Sequence, residues 1–288
     1  DAEITLKIFI SLGIIGARTA IFEDIYRGSL TNSQLVLLDT LESKPGFAWR
    51  QNSCFLTSGS NSFEFYRTDQ CLALSERKSN VLLIGDSHGA HWYPGLIANF
   101  PEINFLQATA SGCLPLIESV GKRRCTDLYD FIFKAFLSDE TLDAIIVAAR
   151  WNEAQASKGL SETLKYLKVK ANSVFVFGPT IEYRLALPEI LIKELDFETV
   201  NNKNSLYANR FSLKEIFSTS NVIEQIVEAE NVNYISVVDI VCPDMVCRVT
   251  TSDGVAMAFD YGHLTVEAAV ELVADMKANY SLLNNLEM

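Results

Sequence analysis

Three chemically capable side chains stand together at Asp86, Ser87 and His88, where an apolar run ends at Gly85 in VLLIGDSHGAHWYPGL (81–96). A turn that only reverses the chain needs none of them. A serine at the carboxyl edge of a buried strand, opening a helix, is exposed to substrate. There the positive end of the helix dipole favours a developing oxyanion. Asp and Ser are also ordinary helix caps, but capping accounts for only one of the two. It does not account for a second group late in the chain, FDYGHLT (259–265), where Asp260 precedes His263 by three positions. A serine hydroxyl is a poor nucleophile until a base takes its proton. An imidazole can do so near neutral pH, and a carboxylate on its far nitrogen fixes the tautomer and stabilises the cation. Asp-x-x-His in a turn entering a helix presents both side chains on one side.

The chain holds only three histidines, His88, His91 and His263, and each is a candidate base. His88 adjoins Ser87, and adjacent helical residues point apart. His91 lies four positions on and is expected to face the site, as a substrate contact if not as the base. His263 is preferred because it brings its own carboxylate. Trp92, Tyr93 and Trp151 are candidates for stacking on a sugar ring, set against an equally good reading as core or rim aromatics. Trp151 and His91 are carried forward as substrate-binding candidates.

Such groups need a rigid scaffold. Short apolar runs at 80–85, 103–109, 143–149, 173–178 and 232–239 suit strands buried on both faces of a parallel sheet. Helix-like segments lie between them, near 89–99, 126–138, 159–169 and across 184–229. A last helix starts at Thr265, with Val266, Ala269, Val270, Val273 and Met276 on one face. The alternation predicts a doubly wound α/β domain over 80–288, with active residues at the carboxyl ends of the strands. Residues 23–79, rich in Gly, Ser and Asn clusters, read as an irregular lead-in. The segment 4–22 (ITLKIFISLGIIGARTAIF) is strongly apolar and near spanning length, but Lys7 and Arg18 interrupt it. It also lacks a small-residue cleavage motif. Two readings stand for 1–22: an amphipathic packing helix, or the end of a membrane span.

With 288 residues, 49% of them hydrophobic, the chain can bury a large core. A net charge of −12 repels phosphate backbones, and GKRRC (121–125) is the one dense basic run, so no nucleic-acid partner is expected. The six cysteines form three local couples, 54/71, 113/125 and 242/247, none with CxxC spacing, and no metal site is expected. Six cysteines admit fifteen pairings. Nearest-neighbour disulfides are expected because each couple brackets a loop-like stretch, which implies an oxidising compartment.

IGDSH (84–88) with DYGHL (260–264) resembles the SGNH (GDSL-like) hydrolase superfamily, and within it the branch fused behind acyltransferase-3 membrane domains in bacteria. ASGCLPL (110–116), AARW (148–151) and the cysteine placement fit that branch, and the opening apolar stretch resembles its last membrane helix and linker. The resemblance implies a flavodoxin-like α/β/α sandwich of SGNH-hydrolase type. It implies Ser87 as nucleophile, His263 as general base and acid, and Asp260 as its partner. It implies an oxyanion hole from the Ser87 N–H, a second-block glycine, for which Gly112 is the candidate, and a third-block asparagine. The third block departs from Gly-x-Asn-Asp: it reads ARWNE (149–153), with Asn152 as the candidate donor and Trp151 inside the pattern. The implied function is the periplasmic domain of an inner-membrane O-acyltransferase that passes an acyl group, acetyl foremost, through a serine ester to a hydroxyl of a surface polysaccharide such as lipopolysaccharide O-antigen. The domain needs no cofactor. Its partners are an upstream membrane domain supplied by acyl-CoA, and a glycan acceptor. The alternatives are a stand-alone carbohydrate O-acetylesterase and a catalytically silent glycan-binding module.

Overall fold

The computed structural model describes residues 31–43, 45–195 and 209–280. The apolar segment 4–22 lies outside them. Six parallel strands form one sheet: β1 (Phe55–Leu56), β2 (Asn80–Gly85), β3 (Asn104–Ala110), β4 (Leu142–Ala148), β5 (Ala171–Phe177) and β6 (Asn233–Ile235). Their spatial order is β1-β3-β2-β4-β5-β6. Without the edge strand β1, this is the flavodoxin-like order expected from the sequence. The order reverses at β2, whose neighbours β3 and β4 lie on opposite sides. Ligands bind beyond the carboxyl ends of strands at such a switch point.

Alternate residues of each strand feed two cores. Val81 and Leu83 of β2, with Ile146 of β4 and Phe175 of β5, meet helices α3 (Tyr93–Asn99), α6 (Leu187–Leu195), α8 (Val237–Val241) and α9 (Val266–Asn279). Leu82 and Ile84, with Ile145 and Val176, meet α4 (Arg123–Phe131), α5 (Glu153–Leu167) and α7 (Glu215–Ala229) on the other face. Continuous apolar strands are thus explained by helices covering both faces. The earlier α1 (Asn32–Leu41) is capped by Thr31, which accepts from the Gln34 N–H, and sends Leu37 into the first core.

Four sequence expectations are modified. The strand expected over 232–239 is β6 only at Asn233–Ile235, and Val237–Val241 forms α8. The lead-in supplies β1, which pairs with β3 at Phe55–Thr109 and Leu56–Ala110. The helix expected over 89–99 is split into α2 (Ser87–Ala90) and α3, with Pro94 in the first turn of α3. Proline lacks an N–H and fits a helix start rather than its interior. The helix expected over 126–138 begins earlier and widens to a π-helical stretch at Ile132–Phe136. Disulfides join Cys54 to Cys71, Cys113 to Cys125 and Cys242 to Cys247, the nearest-neighbour pattern. Among the described residues no helix is long and apolar enough to cross a membrane.

Candidate active site

Ser87 stands two residues past the end of β2, at the switch point. The crossing there is tight. A Cβ on Gly85 would lie 1.8 Å from the Ala148 carbonyl oxygen, and one on Gly89 would lie 2.5 Å from the same atom. Only glycine lets the β2–α2 turn press against the end of β4. Asp86 seals the contact. Its side chain, 4% exposed, accepts from the His88 N–H at 2.8 Å and from the Arg150 N–H at 3.1 Å to each oxygen. Burial raises the Asp86 carboxyl to about 6, against the lowering effect of those backbone N–H groups and of His263.

The second group folds as a tight loop at the start of α9. Residue Phe259 donates its N–H to the His263 carbonyl, and Ala258 bridges Leu264. The N–H groups of Tyr183 and Leu187 hold the carbonyls of Tyr261 and Asp260. Thr265 caps α9 through the Ala268 N–H. Within the loop Asp260 Oδ1 accepts from the Gly262 and His263 N–H groups at 2.9 and 2.8 Å, and Oδ2 lies 2.7 Å from His263 Nδ1. On the far side of the ring, His263 Nε2 lies 2.8 Å from Ser87 Oγ. Burial pushes the Asp260 carboxyl up, but the His263 hydrogen bond and charge, with the two N–H groups, bring it below its ordinary value. It is therefore ionised and fixes a proton on Nδ1, leaving Nε2 to accept from the serine. The three side chains that the sequence placed 176 and 3 positions apart form one hydrogen-bonded chain.

The other candidates fall differently. His91 is fully buried, and its Nδ1 accepts from the Leu264 N–H at 3.3 Å. It presents no surface to solvent. Trp151 is 5% exposed, packs into the second core and donates its indole N–H to the Phe177 carbonyl at 2.7 Å. Its ring offers no open face to a sugar, so the stacking expectation is corrected for Trp151, as is the substrate contact for His91. Burial accounts for both: Trp151 lies in the second core, and the His91 ring lies against Trp49, Trp92 and His263. Trp92 is core as well.

Gly112 has a left-handed φ of +68° in the turn after β3, and an added Cβ would meet nothing. The turn is held on every side. The Ser111 N–H donates to Leu56, Arg124 Nε donates to the Ser111 carbonyl at 2.9 Å, and Cys113 is disulfide-bonded to α4. From α4 the Tyr129 hydroxyl donates to the Gly85 carbonyl at 2.6 Å, tying that helix to the start of the turn that carries Ser87. Asn152, exposed at the same sheet edge, accepts with its carbonyl from the Ala156 N–H at the start of α5.

Sequence reasoning missed the shell around His263. The Phe259 ring stacks on it at 5.8 Å and 14°, and Trp49, from the lead-in, lies 5.6 Å away. Arg150 forks onto Glu182 at 2.9 and 2.6 Å and lies 4.8 Å over the Tyr261 ring. Glu182 and Thr180 follow β5 at the same carboxyl edge, a position that could have marked them. Trp49 carries no such signal. No group of three or more His, Cys, Asp or Glu among the described residues could hold a metal ion.

A doubly wound parallel sheet with serine, histidine and aspartate linked at its switch point is the architecture of SGNH (GDSL-like) hydrolases. Residues 53–278 match the family model described as "SGNH domain (fused to AT3 domains)", and the chain belongs to that family. Among solved structures it is similar to a lipopolysaccharide acetyltransferase periplasmic domain from Salmonella ser. Paratyphi A. That match has 20% identity and a TM-score of 0.68, over 87% of this chain and 97% of that one. A carbohydrate acetylesterase from Sinorhizobium meliloti matches at 13% identity and a TM-score of 0.44, over 71% of this chain and 100% of that one. No curated protein matches the chain by sequence.

Proposed function

We propose that this chain is the periplasmic SGNH domain of an inner-membrane O-acyltransferase, with Ser87 as nucleophile, His263 as base and acid, and Asp260 as its orienting partner. The observation that carries the reading is the Ser87–His263–Asp260 chain, 2.8 and 2.7 Å, in a member of a family fused to membrane acyltransferase domains. Ser87 Oγ attacks the acyl carbonyl carbon while His263 Nε2 takes its proton. The bond to the leaving group then breaks, and that group departs with the proton. In the second half His263 takes a proton from an acceptor hydroxyl, whose oxygen attacks the Ser87 ester. Ser87 leaves with the proton and is regenerated. The oxyanion is met by the Ser87 N–H and, in this proposal, by the Gly112 N–H and the Asn152 side chain. The held Gly112 turn and the shared sheet edge support those two donors.

The acyl group is acetyl, drawn from acyl-CoA by an upstream acyltransferase-3 domain, and the acceptor is a hydroxyl of a surface polysaccharide such as lipopolysaccharide O-antigen. Three disulfides fit an extracytoplasmic site. In this division 1–22 is the end of a membrane or packing helix, and 23–79 is a lead-in that also lends β1 to the sheet. Residues 80–288 are the catalytic unit. The assembled hydrogen bonds speak against a silent binding module. The test is hydrolysis of an activated acetyl ester by the full chain, with water as substitute acceptor. Slow turnover is expected, abolished in Ser87→Ala and His263→Ala. Undiminished turnover in Ser87→Ala would refute the reading.

A further inference from the structure

Two of the chain's three histidines take no part in this proton transfer, yet both lie against His263. The His88 ring centroid is 4.5 Å from that of His263, and the His91 centroid is 6.3 Å away. Hydrogen-bond partners lie at three of the four ring nitrogens, and the buried His91 Nε2 has none among the described residues. The Thr180 hydroxyl lies 3.4 Å from the Gly262 carbonyl and spends its one proton there. With that proton on the Gly262 carbonyl, His88 Nδ1, 3.0 Å from the same hydroxyl oxygen, is the donor to it. That leaves His88 Nε2 as acceptor for the Tyr261 hydroxyl at 3.4 Å. His91 Nδ1 faces the Leu264 N–H and can only accept. The contacts thus fall on Tyr261, Gly262 and Leu264, the residues on either side of His263. The fit is close: a Cβ on Gly262 would stand 3.0 Å from Glu182 Cγ and 3.4 Å from His88 Cε1.

We propose that His88 and His91 are positioning residues that hold the His263 loop against the nucleophile. Both belong to the turn that carries Ser87: His88 lies within α2 and His91 is its C-cap. Nucleophile and base are therefore set from one piece of backbone, although 176 positions separate them. Each histidine works only as a neutral imidazole. A second proton on His91 would point an N–H at the Leu264 N–H, and one on His88 would remove the acceptor for Tyr261. Both rings are nearly or fully excluded from solvent, which favours the neutral form. The proposal rests on the reading of Ser87 and His263 as nucleophile and base.

The test uses the full chain with His88→Phe, His88→Asn, Thr180→Val and His91→Phe. The readouts are kcat and KM on an activated acetyl ester, the low-field proton of the His263–Asp260 hydrogen bond, and exchange of the Leu264 amide. His88→Phe and Thr180→Val should each lower kcat about 10²-fold, the cost of a small misplacement of a reacting group, with KM nearly unchanged. His88→Asn, whose side-chain N–H can replace Nδ1–H, should recover most of the loss. The double variant His88→Phe/Thr180→Val should lose no more than the worse single. His91→Phe should speed exchange at Leu264 and lower kcat. Wild-type kcat in both His88→Phe and Thr180→Val, with the low-field proton unmoved, would overturn the proposal. So would unchanged exchange at Leu264 for the part given to His91. Should His88→Phe not fold, Thr180→Val decides, since it removes the hydroxyl that His88 Nδ1 meets while leaving both histidines in the chain. If Ser87→Ala keeps full activity, the nucleophile reading fails, and the low-field proton of Thr180→Val still decides whether the loop is held.

Discussion

Asp260 does three things with one carboxylate: it orients the His263 ring, selects the Nδ1–H tautomer, and closes its own loop through two backbone N–H groups. Replacement by asparagine keeps the shape but can place an N–H where the carboxylate accepted, turning the ring to the wrong tautomer. Asp260→Asn should therefore retain the native circular dichroism yet lose on the order of 10⁴-fold in kcat. A loss of less than tenfold would show that the loop backbone alone orients His263. At this scale the site was legible where its residues are neighbours in sequence, as in IGDSH and DYGHL. Trp49, Phe259, Thr180 and Glu182 were not, because their contacts with the site are made only by folding. Trp151 and His91 were misplaced for a related reason. A polar or aromatic residue next to a motif can point inward as readily as outward, and sequence does not fix that angle.

The β2–α2 turn is where an element becomes a site. Gly85 and Gly89 let the turn meet the Ala148 carbonyl, and Asp86 fastens it to the Arg150 N–H. Gly85→Ala would force a methyl group into backbone that cannot yield without moving β4. It should lower the melting temperature sharply or leave the protein insoluble, and a thermal melt within about 2 °C of wild type would contradict this crossing. The four long strands β2 to β5 were legible from apolar runs bounded by polar turns, and their alternation with helices predicted a parallel sheet; of the run at 232–239 only Asn233–Ile235 is strand, and Val237–Val241 turns into α8. Strand β1 was not, because two residues carry no period. The split of the 89–99 helix was foreshadowed only by Pro94. Its consequence is chemical: α2 is a four-residue turn, so the proposed oxyanion hole would rely on individual N–H groups rather than on the dipole of a long helix.

Across the whole molecule, the buried groups around the site couple its electrostatics to folding. Burial, reinforced by the charge of His263, holds the His88 and His91 imidazoles well below their ordinary value. In the unfolded chain each takes a proton as pH falls through about 6.5, and in the folded chain neither does. Folding stability should then fall with pH below that point, by about 1.4 kcal/mol per pH unit for each histidine. Asp86 works the other way. Raised to about 6 in the folded chain, it gains a proton there before the unfolded chain does, and this offsets one histidine's slope between about 6 and its unfolded value near 4. The chain's net charge of −12 adds a background that also relaxes in acid. The comparison that isolates the histidines is therefore the slope of unfolding free energy against pH in wild type and in His88→Asn/His91→Asn. The variant should be less sensitive to acid, and parallel slopes would contradict neutral burial.

The central claim is that an acyl group rests on Ser87 between donor and acceptor. Rapid acid quench of the full chain with an activated acetyl ester, followed by peptide mass spectrometry, reads this directly. One acetyl group is expected on the peptide containing Ser87. It should be absent in Ser87→Ala and His263→Ala, and it should decay faster when a hydroxyl-rich glycan is added. Turnover of the ester with no acetyl trapped at Ser87, or with equal labelling of Ser87→Ala, would contradict the account.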